Sequence, residues 1–315
     1  MPRLRNLNKL LDPEIRAKNL RAIRFAARGL YWDVARSQAP DPVFVVGCSR
    51  SGTTVTYETL AASSRLLSLG HEVPEFWDGL WGPRHNGWES EAAGAESARP
   101  ELRDAAQRYF YQRVGLGTVL DKTCINVMRV PFLQRLFPQA RFVFIHRDGR
   151  DNVSSLMDGW LHDGHFGLAK TLGPFPCPVN IDGGKFKEWS FFLPPGWRRY
   201  NESPLEEVCA HQWLTANRMA LDAAKQVPAP QWIQLRYEDI FDRPVEMFRE
   251  VFDRLDLPFD DAVRDRCAKL GDLPTSIVKG APMKQKWKQS NARAIERILP
   301  AISPLMIELG YDLEG

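Results

Sequence analysis

Two short stretches of this sequence carry residues suited to holding phosphate groups. The first is Gly47-Cys48-Ser49-Arg50-Ser51-Gly52-Thr53-Thr54, directly after the apolar, β-branched run Val43-Phe44-Val45-Val46. A buried strand that runs into a glycine turn and then a helix start aims backbone N–H groups and the positive helix end at an anion. The Ser and Thr hydroxyls add further donors. The glycine spacing resembles a Walker A loop, but that loop needs Lys-Ser/Thr next. Here Thr53-Thr54 follows, and the cation stands before the glycine, at Arg50. A nucleotide clamped through its terminal phosphate by Lys and Mg²⁺ is therefore a poor match. The second stretch, His146-Arg147-Asp148-Gly149-Arg150-Asp151-Asn152-Val153-Ser154-Ser155, follows the run Arg141–Ile145 in the same way. Arg147 falls at a strand's carboxyl end, where ligands collect in open α/β sheets. With a helix from about residue 151, Ser155 lies one turn along it, and the two side chains can hold one phosphate. His-Arg-Asp invites a kinase reading, but Asn152 stands at the wrong spacing, and no Asp-Phe-Gly or Gly-x-Gly-x-x-Gly accompanies it.

With both stretches in view, the chain resembles the PAPS-dependent sulfotransferases (PAPS is 3′-phosphoadenosine 5′-phosphosulfate), closest in motif to tyrosylprotein-type and bacterial members. Arg50-Ser51-Gly52-Thr53-Thr54 looks like their 5′-phosphosulfate loop, and Arg147 with Ser155 like their 3′-phosphate motif. Arg147-Asp148-Gly149-Arg150 and the ending Leu309-Gly310-Tyr311-Asp312 are similar to the tyrosylprotein group, and Tyr237-Glu238-Asp239-Ile240 resembles the segment with an adenosine-contacting tyrosine. The resemblance covers roughly residues 43–160 and 205–313. It implies PAPS as donor, adenosine 3′,5′-bisphosphate as product, and two further requirements: a base for the acceptor proton and cations for charge on the leaving phosphate. The histidine-type enzymes carry Lys-Thr-His where this chain has Lys122-Thr123-Cys124, so that histidine is absent. The glutamate type places its carboxylate beyond the first helix after the phosphate loop, where His71-Glu72 falls. Glu72 is the expected base, with His71 in reserve. Lys122 resembles the lysine that reaches the bridging oxygen, and Lys279 lies where the family has a further cofactor contact, with Lys286-Trp287-Lys288 close behind. One departure stands out: where tyrosylprotein enzymes have a phosphate-binding arginine four residues after the motif serine, this chain has Gly159.

These residues need a scaffold that brings strand ends together. Val43–Val46 and Arg141–Ile145 read as buried strands and Trp232–Leu235 as a third strand, with a short strand candidate at Thr118–Leu120. Helical patterns cover Thr53–Ala62, Leu102–Val114, Val130–Phe137, Leu205–Ala224, Val245–Leu255 and Asn291–Leu309. Strands separated by helices predict an α/β fold: a P-loop-like, doubly wound, mainly parallel sheet with helices on both faces. Residues 83–100, rich in Gly, Ala, Ser and Glu, look like a mobile loop or lid. Residues 162–204, with many Gly, Pro and aromatics and no period, read as an insertion elaborated over the site.

Composition bounds the rest. The chain has 315 residues, 44% hydrophobic and 26% charged, which supplies a sizeable core and rules out disorder and coiled coil. No stretch approaches the roughly 18–20 uninterrupted apolar residues of a membrane span, and no apolar signal segment opens the sequence. Five scattered cysteines without a CxxC pair fit neither a disulfide framework nor structural zinc, and favour a cytoplasmic location. His162 and His165 form an HxxH without a third ligand, so no metal is expected. A net charge of +3 does not imply nucleic acid. The charge is uneven, however: residues 1–36 hold nine Lys and Arg against three Asp and Glu, with leucines and isoleucines at helical spacing. This leader, residues 1–39, reads as a basic amphipathic helix, either packed on its own domain or in peripheral contact with a membrane. Behind it, the resemblance implies a sulfotransferase domain over residues 40–315. The expected reaction is in-line transfer of a sulfuryl group from PAPS to a hydroxyl, or an amine, on a small-molecule, carbohydrate, lipid or peptide acceptor. A P-loop kinase and a non-catalytic nucleotide-binding module are the alternatives.

Overall fold

The computed structural model describes residues 12–35, 39–162, 164–270 and 285–313. In chain order the elements that frame the site are α1 (Pro13–Ala35), β1 (Val43–Val46), α2 (Thr53–Leu60), β2 (Leu66–Ser68), α3 (Pro74–Leu80), α4 (Pro100–Val114), β3 (Thr118–Asp121), α5 (Val130–Leu136) and β4 (Arg141–His146). They continue with α6 (Gly149–Trp160), α7 (Leu205–Ala224), β5 (Trp232–Arg236), α8 (Pro244–Arg254), α9 (Asp261–Ala268) and α10 (Ala292–Glu308). Helix α1 starts with Pro13 at its first position, where a missing N–H costs nothing.

The five strands form one sheet in the order β2-β3-β1-β4-β5, and every pairing is parallel. The expected architecture is therefore present. Side-chain alternation along the strands divides the core into two layers. Phe44, Val46, Phe142 and Phe144 pack on one face against helices α4 to α7 and α10. Val43, Val45, Val143, Ile145, Ile233 and Leu235 face the other way, against α2, α8 and α9. Both faces of the central strands are covered, which is why these strands read as continuous apolar runs. From β1 the chain crosses to one side of the sheet, and from β3 to the other, so the carboxyl ends of β1 and β4 flank the point where winding reverses. Open α/β sheets form their clefts there.

One segment departs from the sequence expectation and a second extends it. Residues 83–100 are not a loose lid: Ser90, Glu91 and Ala93 are buried, and Glu91 ties the segment down through both its backbone and its side chain. Arg129 Nε donates to the Glu91 carbonyl at 2.6 Å, and Glu91 Oε2 accepts from the Leu193 amide at 2.5 Å. Its partners lie some forty and a hundred residues away along the chain, so composition alone misrepresents it. Residues 162–204 do elaborate the fold, but as a packed part of one core layer. Trp189, Phe192, Leu193 and Trp197 are fully buried, and the Gln212 amide of α7 donates to the Ser190 and Phe192 carbonyls.

Candidate active site

The turn after β1 is built to face an anion. Arg50 adopts φ 69° and Gly52 φ 102°, both left-handed, a conformation that costs an arginine energy and a glycine little. The turn is closed by Ser51, whose amide donates to the Cys48 carbonyl at 3.1 Å and whose hydroxyl donates to the Ile145 carbonyl at 3.2 Å. Asn152, on α6, donates to the Ser49 carbonyl at 2.9 Å and so fastens the turn to the second stretch. A side chain at Gly52 would collide with the Tyr237 ring, 2.4 Å from the position of a Cβ. The glycine thus lets the aromatic ring after β5 lie against the loop.

Arg147 emerges from the end of β4 as expected, and α6 begins two residues later. Its guanidinium stacks 4.4 Å from the Tyr237 ring centroid and donates to the Arg50 carbonyl at 3.3 Å. Arg50 Nε in turn donates to Ser155 Oγ at 3.2 Å. Arg50, Arg147, Ser155 and Tyr237 therefore form one cluster from three strand ends. Burial, then the Arg147 charge, pulls Arg50 down from its ordinary value: two guanidiniums share this corner, and an anion there would relieve the repulsion.

Glu72 and Lys122 meet beside this cluster. Lys122 Nζ lies 2.5 Å from Glu72 Oε1 and 3.2 Å from Thr54 Oγ1 in the phosphate loop. Glu72 Oε2 also accepts from the Cys124 amide at 3.1 Å. Burial alone would lower the Lys122 ammonium, but the Glu72 carboxylate outweighs it and the net shift is upward. Cys124, standing where the histidine-type enzymes have histidine, is pushed up to about 11 by burial and then by Glu72. It stays a thiol, 3.5 Å from Glu72 Oε1. A buried scaffold holds the pair: Asp121 accepts from Thr123 Oγ1 at 2.8 Å and Trp77 Nε1 at 2.7 Å, and Thr123 Oγ1 receives the Val73 amide at 3.2 Å. Burial raises Asp121 to about 6.

Arg50, Gly52, Thr53, Thr54, Glu72, Cys124, Arg147, Ser155 and Tyr237 line one cavity of about 640 Å³, whereas Ser51 and Lys122 are buried. Apolar side chains line it as well: Pro74, Ile125, Phe166, Leu168 and Phe191. Phe166 and Phe191 stack at 4.6 Å between centroids, and the Phe191 ring fills the space beside Gly159. A Cβ at residue 159 would lie 2.4 Å from that ring. The missing arginine of the tyrosylprotein pattern is thus replaced by an aromatic from the insertion.

His71 does not face this cavity. It is exposed and lines a separate groove beneath α1, although its neighbour Glu72 points inward. Lys279 lies outside the described residues. Lys286 lines the cavity and pairs with Asp158 at 3.3 Å, while Trp287 is buried, its amide bonded to Asp151. Nothing local in the sequence marks Asn152 as a loop tether or Phe166 and Phe191 as a stacked pair, since both depend on contacts across the fold. Among the described residues no group of three or more His, Cys, Asp or Glu is arranged to hold a metal ion.

Comparison with known proteins adds an independent observation. A family model described as "Sulfotransferase family" matches residues 42–168 and 183–261. The chain is 21% identical to protein-tyrosine sulfotransferase A of Caenorhabditis elegans, over 86% of this chain and 67% of that one. It is also 21% identical to protein-tyrosine sulfotransferase 1 of Danio rerio, over 86% and 72%. Among solved structures, sulfotransferase STF9 from Mycobacterium avium superposes with a TM-score of 0.58 at 14% identity, over 93% of this chain and 82% of that one. A sulfotransferase from Alicyclobacillus acidocaldarius superposes at 0.50 and 14%, over 88% and 98%.

Proposed function

The chain belongs to the sulfotransferase family, and from that premise we infer that it moves a sulfuryl group from PAPS to a hydroxyl or amine acceptor. The observation that carries this reading is the single cavity in which a carboxylate–lysine pair, Glu72 and Lys122, adjoins a phosphate loop and a second cation cluster. The donor set suits a bisphosphorylated nucleotide. Arg147 Nε is buried and has no hydrogen-bond partner among the described residues, an arrangement that costs free energy unless an anion completes it. Arg50, Ser51, Gly52, Thr53 and Thr54 would hold the 5′ end, Arg147 and Ser155 the 3′-phosphate, and Tyr237 the base. Lys279 is kept as a further contact on the resemblance alone.

When bound, PAPS supplies an activated sulfuryl group on a phosphate leaving group. The chain's own residues supply the rest. Lys122 bridges Thr54 of the loop and Glu72, so one ammonium serves both the anion side and the base side. Glu72, 31% exposed at the cavity edge, takes the acceptor's proton, while the Cys124 amide and Lys122 fix its orientation. Arg50 and Lys122 offset negative charge that grows on the phosphate side. The wall of Phe166, Leu168, Phe191, Ile125 and Pro74 excludes water and suits an acceptor whose hydroxyl or amine is carried on an apolar body. The two relatives named above act, by their names, on protein tyrosine, and a phenol on an apolar ring belongs to that class.

Calorimetry with adenosine 3′,5′-bisphosphate, AMP and ATP tests the donor assignment. Loss of the 3′-phosphate removes charge-assisted hydrogen bonds of about 1.5–3 kcal/mol each, so the bisphosphate is expected to bind at least about tenfold more tightly than AMP. Equal affinities would refute the assignment. Transfer from labelled PAPS across a panel of phenols, aliphatic alcohols and amines then tests the reaction, and turnover should persist in EDTA.

A further inference from the structure

Helix α1 packs on α4 through one face and leaves an unusual one outside. Trp32 and Gly29 are buried against α4, Tyr31 and Trp32 contact Tyr111, and Arg108 holds Asp33 through two hydrogen bonds of 2.8 and 2.9 Å. On the opposite side Leu20, Ile23, Leu30 and Val34 are 66%, 65%, 69% and 87% exposed. With Ala27 they recur in alternating three- and four-residue steps, which places them on one line along the helix. Tyr31 adjoins the line at 58%. Among the described residues, five of the eight exposed large apolar side chains thus lie on this one helix. Scattered exposed leucines are ordinary, but a continuous apolar line is not.

The charge beside the line has one sign. A groove of about 590 Å³ between α1 and the sheet edge at β2 is lined by Arg21, Arg24, His71 and Arg113, with Leu20 and Phe25 among its apolar walls and, among the described residues, no carboxylate. Arg113 is held over the Tyr109 ring at 3.5 Å and near Phe25 at 5.4 Å, so its charge stays at the groove. Helix α1 itself carries five Lys and Arg against Glu14 and Asp33, and Asp33 is already engaged by Arg108.

We propose that α1 docks the enzyme on an anionic lipid bilayer, with the apolar line entering the headgroup–acyl boundary and the groove cations receiving lipid phosphates. An apolar face bounded by cations is the pattern of a helix that lies in the membrane interface. The same spacing could seat a second copy of the chain, but pairing two such helices would set cation against cation, whereas an anionic surface complements them. The assignment does not depend on the reaction proposed above, because its readout is binding.

The test is sedimentation of the full chain with vesicles of phosphatidylcholine alone or with about a third phosphatidylglycerol. Binding is expected to the anionic vesicles, to be weak on the neutral ones, and to fall as salt shortens the screening length to about 3 Å at 1 M. Arg21→Gln with Arg24→Gln should weaken binding by roughly fivefold per arginine. The triple variant Leu20→Ser, Ile23→Ser, Leu30→Ser should abolish it while leaving the melting temperature near wild type, since these side chains are already in water. Absence of wild-type binding, or binding untouched by the triple variant, overturns the proposal. A concentration-dependent dimer in analytical ultracentrifugation that the triple variant abolishes would also overturn it, and would assign the line to a second copy.

Discussion

Glu72 meets three groups at once: Lys122, the Cys124 amide and the Cys124 thiol. Of these groups the carboxylate is the one that can serve as a base, because burial keeps the neighbouring thiol protonated and the ammonium and the amide have no free lone pair to accept a proton. Glu72→Gln keeps the size and one acceptor of this arrangement but removes the base. Its turnover should fall by about 10²–10⁴, with bisphosphate affinity within a few fold of wild type. His71→Asn should cost little, since that ring faces the groove under α1. Near-normal turnover of Glu72→Gln beside a dead His71→Asn would transfer the role to the histidine. On the anion side, Arg147 stacks on Tyr237 and packs in no apolar core, so Arg147→Ala should weaken bisphosphate binding by at least about tenfold. Ser155→Ala should act in the same direction and less strongly, because it removes a neutral partner of Arg50. A large fall in apo melting temperature with unchanged affinity would instead give both residues a structural role.

At the scale of elements, the loop between β1 and α2 joins chemistry to strain. Gly52 is left-handed and also lies under the Tyr237 ring. Gly52→Ala therefore meets two costs, roughly 1–2 kcal/mol for the backbone and a displaced ring at the cleft. It should lower the melting temperature by several degrees and weaken the bisphosphate, and an unchanged affinity would mean that Tyr237 has no part in the cofactor site. Much of this element-level arrangement was legible in advance. The apolar runs of β1 and β4 announce strands buried on both faces, β5 shows through Trp232, Ile233 and Leu235 beside an exposed Gln234, and the residues at their ends follow from that placement. Strand β2 was not legible, because three residues at a sheet edge, only one of them buried, carry too short a pattern. Nor was the anchoring of residues 83–100, which depends on Arg129 and Leu193 rather than on neighbours in sequence. The Phe191 ring over Gly159 is a third case: the sequence shows the lost arginine, but only the folded insertion shows what fills its place.

On the scale of the whole molecule, His146 ties the central strands to the chain's end. Gln234 Nε2 of β5 lies 3.1 Å from its Nε2, and Tyr311 Oη lies 2.9 Å from its Nδ1. The Gln amide can only donate, so Nε2 accepts; Tyr311 donates onward to Glu238 at 3.2 Å, so Nδ1–H donates to Tyr311. This network needs a neutral ring. Burial, and then the Arg236 charge, lowers His146 from 6.5 to about 3. The unfolded chain takes up a proton below about pH 6.5 that the folded one refuses until about pH 3. The contribution of His146 to stability is therefore complete above pH 6.5 and lost as pH falls through this window, by about 1.4 kcal/mol per pH unit. Asp121, raised to about 6, works in the opposite direction: its stabilising effect is present below its ordinary 3.8 and disappears as pH rises toward 6. The two partly cancel in the wild-type curve, which would hide either one. His146→Gln isolates the histidine, because Asp121 is unchanged in both proteins and drops out of the difference between them. The melting-temperature advantage of wild type over His146→Gln should be largest at pH 7 and shrink steadily down to pH 4. Parallel curves over that range would mean that the ring is charged in the folded protein and that the Gln234–His146–Tyr311–Glu238 chain is wrongly drawn.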